Sequence, residues 1–141
     1  MKQLSILILL LIFVSKANSQ VHWLINMDSI PKCEIIKSGK FINKQTDCEA
    51  TPEYYIIFSD GYVTDYVNGG KYYVKSKITY ESSCKWTSEI VEVTIPDYYL
   101  EPGHQIITEV IETAKVDNLV KIKVRNKGDN KDSIFVLEKI E

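Results

Sequence analysis

Two histidines, three cysteines and a scatter of carboxylates are the groups in this 141-residue chain that could do chemistry. Nucleophilic catalysis needs a serine or cysteine with a base held beside it. His22 lies in an N-terminal stretch and His104 in the loop sequence "EPGHQ", and neither belongs to a G-x-S-x-G or H-E-x-x-H pattern. "NGGK" resembles a fragment of a phosphate-cradling loop, but no helix start follows it, so it reads as a turn. The carboxylate pairs Glu109 with Glu112 and Asp129 with Asp132 have the residue types for acid/base work. On a strand, however, Glu109 and Glu112 would face opposite sides, and the second pair falls in a polar turn. "KGDNKD" lacks the regular ligand spacing of a calcium loop, and the cysteines lack the close pairs of a zinc site. The expectation is therefore no catalytic residue, no cofactor and no metal.

Met1-Lys2, the apolar run Leu4 to Val14 and the small-residue ending Ala17-Asn18-Ser19 read as a signal peptide over residues 1–19, cleaved before Gln20. The run is too short to span a bilayer as a mature helix, so a secreted or periplasmic protein with no transmembrane segment is expected. What remains, residues 20–32 as an N-terminal extension and 33–141 as a single β domain, suits one core. The formal charge of the whole chain is −2, and the signal region holds Lys2 and Lys16 but no acid, so the mature part is more acidic still. A nucleic-acid partner, which selects a basic face, is not expected. Export leads the three cysteines into a compartment where disulfides form. One pair and one leftover thiol is the simplest outcome, with Cys33 and Cys84 the favoured pair, each at the edge of a strand, and Cys48 an alternative partner that spacing leaves open.

The elements that must position these groups repeat with a period of two. "CEIIKSGKF" reads as a first strand with Gly39 as a bulge; "EYYIIF" and "YVTDYV" flank the turn "SDG" as a hairpin. In the next strand Val74, Ser76, Ile78 and Tyr80 point one way and Tyr73, Lys75, Lys77 and Thr79 the other. "KWTSEIVEVTI" is followed by the loop "PDYYLEPGHQ", then by "IITEVIETAKV", read as a strand although its spacing also suits a helix. In "NLVKIKVRN" Val120, Ile122 and Val124 face inward and Lys121, Lys123 and Arg125 outward; "SIFVLEKI" closes the chain. About eight strands joined by short connections predict an all-β antiparallel meander, closed as a small lipocalin-like barrel or left as a strongly curved sheet or sandwich. Trp23, Leu24 and Ile25, or the last strand, could cover one end.

"CEIIKSGKF" with Cys33, Gly39 and Phe41, followed about fifty residues later by "ITYESSCKW" with Tyr80, Cys84 and Trp86, resembles a group of small exported proteins from Bacteroidetes and flavobacteria. "VEVTIPDYYLEPGHQI" is similar to that group too. The resemblance implies an exported β protein without an established active site, so no catalytic residue carries over, and Cys48 has no counterpart in the pattern. Some relatives carry a DNA topoisomerase label, which an acidic domain of this size behind a signal peptide does not fit.

Nine tyrosines and two tryptophans remain to be explained. Tyrosine suits strands generally, and its apolar body with a polar tip also suits recognition of sugars, peptides or partner surfaces. The strand tyrosines read as structural or surface residues. Tyr98, Tyr99 and Leu100 form an apolar cluster that is costly to leave in a loop without a partner. The leading expectation is a non-catalytic envelope protein that binds a small molecule inside a barrel, or a glycan or envelope protein at the rim carrying Tyr98, Tyr99 and Leu100. The alternatives are an interaction module that pairs through an exposed strand edge, and a hydrolase built on scattered carboxylates.

Overall fold

The structure, a computed structural model, describes residues 24–44 and 53–141. The expected signal peptide, His22, Trp23 and Cys48 lie outside the described residues. Eight strands follow one another: β1 (Gly39–Asn43), β2 (Tyr55–Ser59), β3 (Tyr62–Val67), β4 (Tyr72–Ser82), β5 (Lys85–Val93), β6 (Gln105–Ala114), β7 (Leu119–Asn126) and β8 (Ser133–Lys139). Each pairs antiparallel with the next, and β8 returns to β1 through Phe41 opposite Lys139 and Asn43 opposite Leu137. The sheet is a closed up-and-down barrel, so the open curved sheet and the sandwich are set aside. Closure pairs the first and last strands and removes the free edges that an open meander of this length would expose.

Local chemistry accounts for the turns and strands. Asp60 and Gly61, with φ of 52° and 79°, form the two-residue loop between β2 and β3, where positive φ at both positions matches the twist of a hairpin. β6 is a strand and not a helix because Ile106, Ile107, Thr108, Val110, Ile111 and Thr113 stack β-branched side chains that fit a pleated surface better than a helical turn.

One end of the barrel is packed shut. "CEII" is a 3₁₀ turn, Cys33–Ile36, rather than the start of the first strand, and β1 begins only at Gly39. The turn is needed because Cys33 is bonded to Cys84, in the β4–β5 connection, at a Cα separation of 5.2 Å. Gly39 then redirects the chain with φ 118°, where a Cβ would run into the Glu141 carbonyl and the Lys139 side chain. Cys33, Ile36, Phe41, Ile78, Val110 and Val120 fill this half of the interior. Leu24 is half-buried and Ile25 exposed, so among the described residues it is the disulfide-tied turn that closes this end of the barrel. β8 belongs to the wall.

Tyr80, Glu112 and Lys121 differ in orientation or exposure from what simple alternation predicts. Tyr80 is in register with inward Trp86 but lies at the strand tip and is 43% exposed, with the Lys37 amine 5.8 Å from its ring centroid. A bulge at Ile111 changes the parity of β6, so Glu109 and Glu112 share the outer face, opposite Lys123 and Lys121. Each carboxylate has its own lysine, at 2.8 Å for Glu109 with Lys123 and 3.0 Å for Glu112 with Lys121. Lys121 nevertheless is buried although it faces out, because Leu24 to Lys32 runs over the end of β6: the Leu24 N–H donates to Glu112, and the Lys32 N–H donates to the Thr113 hydroxyl.

The outer face of β2, β3 and β4 carries Tyr55, Tyr66 and Tyr73 as cross-strand neighbours. Tyr55 stacks on Tyr66 at 4.9 Å, Tyr66 meets Tyr73 at 5.8 Å, and the Tyr73 hydroxyl donates to Glu92. These contacts are the sheet's own stabilising units.

Candidate functional site

The described residues leave the other half of the barrel hollow. A cavity of about 530 Å³ opens between the connections β1–β2, β3–β4, β5–β6 and β7–β8. Its floor is the upper surface of the packed half, where Phe58 meets Phe41 and Trp86 edge-on, with Ile122 and Leu137 beside them. Ile56, Val63, Val67, Val74, Ile106 and Val124 line its sides. Each is the inward member of an alternating strand, so the period-two pattern that shaped the barrel also made this lining apolar. Ser76, Ser88 and Thr108 contribute hydroxyls from β4, β5 and β6.

Residues 94–104 fold over the mouth, and backbone bonds pin both ends of that loop. Thr94 N–H donates to the Tyr73 carbonyl at 3.0 Å, while Gly103 N–H donates to the Ile90 carbonyl at 2.7 Å and Ile90 N–H to the His104 carbonyl at 2.9 Å. The excursion between these anchors carries Ile95, Tyr98, Tyr99 and Leu100 to the cavity. Tyr98 and Tyr99 lie 5.0 Å apart, the first half-buried and the second 77% exposed. The three rim residues singled out in the sequence thus sit together at the mouth. His104 is half-buried and its Nε2 lies 3.2 Å from Asn126 Oδ1. Arg125, expected to face out, also reaches the mouth, 3.8 Å from Asp132.

Sequence reasoning missed Asp65. It is the central residue of "VTDYV", on the inward face of β3 between Val63 and Val67, with Ile56 and Val74 as its cross-strand neighbours. An acid on the apolar face of an alternating strand was the available signal. Its Oδ1 accepts the Tyr54 hydroxyl at 3.1 Å, and among the described residues no lysine, arginine or histidine pairs with it. The cavity reaches the carboxylate, so it keeps some accessible surface, but protein surrounds it closely enough to strip most of its water. Burial pushes its pKa up from 3.8 to about 6, against the opposing effect of the Tyr54 hydrogen bond. Burial and the Asp65 charge push Tyr54 up as well, and burial does the same to Tyr98, reinforced by Tyr99 and Asp65.

No protein-family model, curated protein or solved structure matches the chain. Its chemistry is therefore read from the cavity itself. Asp65 is the only carboxylate among the described residues lining it, so the paired acids of a glycosidase-type site are not assembled there. Asp129 and Asp132 are occupied elsewhere, with Asn126 and Arg125 respectively.

The raised Asp65 pKa fixes a pH dependence. The folded state holds the proton more tightly than the unfolded chain, so this group's contribution is most favourable below about pH 4 and is lost as pH rises through about 6. Asp65→Asn, which cannot ionise, is expected to gain about 1–3 kcal/mol over the wild type at pH 7.5 and to show no such gain at pH 3.5. Urea unfolding at the two pH values measures this. An equal effect at both would assign the change to packing instead of ionisation.

Proposed function

We propose that the protein is an exported, non-catalytic carrier that holds a small, largely apolar molecule inside the barrel, taken in past Tyr98, Tyr99 and Leu100. The observation that carries this reading is the division of one closed barrel into a packed half and a hollow half. A barrel of eight strands can be filled by its own side chains or hold one small ligand. Here the described side chains do not fill the second half, and its volume lies within the range of small-molecule sites. The Cys33–Cys84 bond suits an oxidising compartment, and among the described residues no helix is long and apolar enough to cross a membrane. Closure also leaves no open sheet edge for strand addition, which weighs against the edge-pairing alternative.

Tyr98→Ala with Tyr99→Ala is expected to leave the fold intact, because neither side chain belongs to the packed half, and to weaken binding of octanol by about tenfold. Calorimetric titration with circular dichroism as the folding control checks both halves of this statement; unaltered affinity would remove these residues from the site.

The exposure of Tyr99 favours a second reading, in which the rim also meets a glycan or an envelope protein. On that reading the double variant loses a partner in a pull-down from envelope extract while octanol still binds with wild-type affinity.

A further inference from the structure

We infer that the molecule held in the barrel carries an amine, and that Asp65 is the counter-ion that receives it. This rests on the reading of the hollow half as a ligand site and names the chemistry of that ligand. A lone carboxylate set among Val63, Val67, Ile56 and Val74 is a poor choice for stability, since an unpaired buried charge is costly and an apolar residue would fill the position better. The Tyr54 hydroxyl meets one oxygen and supplies no positive charge. An ionised carboxylate can accept several hydrogen bonds, and Asp65 presents its remaining capacity to a cavity lined mainly by apolar side chains, with neutral hydroxyls at Ser76, Ser88 and Thr108.

An ammonium group supplies what is lacking: a charge of the right sign and donors for the open acceptor positions. The aromatic faces of Tyr54 and Tyr98, which line the same cavity, suit a cation as well. The apolar remainder of the ligand then covers Phe58, Trp86 and Ile122. The competing chemistry is an anionic head at the mouth, where Arg125 and the exposed Lys131 line the cavity. Arg125 already faces Asp132, and an anion there would leave the Asp65 charge uncompensated.

The titratable groups beside Asp65 are Tyr54, which donates to it, and Tyr98, which is itself beside Tyr99; Arg125 and Lys131 line the same cavity, and the cross-strand neighbours Ile56 and Val74 are apolar. Amine binding is accordingly strongest above pH 6 and weakens as Asp65 takes up its proton.

The test is calorimetric titration of the full mature protein with octylamine, octanol and octanoate, probes that share one apolar body and differ in head group. At pH 7.5 octylamine is expected to bind about 10–100 times more tightly than octanol, the range for a charge-assisted hydrogen bond. That ratio is expected to fall to near one in Asp65→Asn, and in the wild type at pH 4.5. Octanol binding with no preference for octylamine overturns the amine inference and leaves the carrier intact. Tightest binding by octanoate overturns it too, and transfers the head group to Arg125 and Lys131. If none of the three binds, the carrier reading fails and the inference with it.

Discussion

Replacing Cys33 and Cys84 together by serine is expected to cost about 4 kcal/mol of stability, the chain-entropy value for a cross-link across 51 residues. The bond does more than shorten the unfolded chain. It holds the Cys33–Ile36 turn against the β4–β5 connection, and both Cys33 and Ile36 are fully buried where the barrel is packed shut. Releasing the turn exposes the floor of the core at the end where β1 enters. The loss is measured by urea unfolding of the double variant beside wild type with and without reductant. The two routes to the open form should agree closely, and a loss below about 1 kcal/mol would mean that packing alone holds the turn.

The second large effect is expected at the Glu112–Lys121 ion pair, whose side chains are each only 7% exposed. Lys121→Met removes one charge and leaves the Glu112 carboxylate beneath residues 24–32, where the Leu24 N–H donates to its other oxygen. Breaking a buried pair from one side costs about 3–5 kcal/mol, whereas replacing both partners by apolar residues is often close to neutral. The single variants Lys121→Met and Glu112→Leu are therefore each expected to be strongly destabilised, and the double variant to recover most of the loss. A double-mutant cycle by urea unfolding reads the coupling directly. Additive losses would contradict a coupled pair.

Much of the architecture was legible because it is written in period two. β4 and β7 could be oriented from alternation alone, and the Asp60–Gly61 hairpin from its turn residues. Alternation has no means of announcing a bulge. The extra residue Ile111 brought Glu109 and Glu112 to one face, reversing the expected relation between those acids. Nor does alternation tell an outward residue in water from one beneath another segment, which is why Lys121 faces outward as expected and is nevertheless buried. Cys33 was assigned to a strand because apolar residues follow it. The tie to Cys84, a contact distant in sequence, makes that stretch a turn.

The site divides the same way. Tyr98, Tyr99 and Leu100 stood out because an aromatic cluster in a loop has no local structural use, and they meet at one mouth. Asp65 did not stand out, because an acid in a tyrosine-rich strand passes for a surface residue until its parity is counted from Val63 and Val67. Its importance comes from closure, which converts one face of a hairpin into the interior of a cavity.

Methyl and indole NMR during titration with octanol tests the central claim, that the hollow half of the barrel is a binding site. Ile56, Val74, Ile106 and Ile122 line the cavity, and Trp86, 2% exposed, lies at its floor. Ile57 and Ile107 alternate with them on the opposite face of β2 and β6. The account predicts saturable shifts at the inward set and the Trp86 indole, with Ile57 and Ile107 unmoved. Shifts confined to the outward set, or none at saturating octanol, would contradict it.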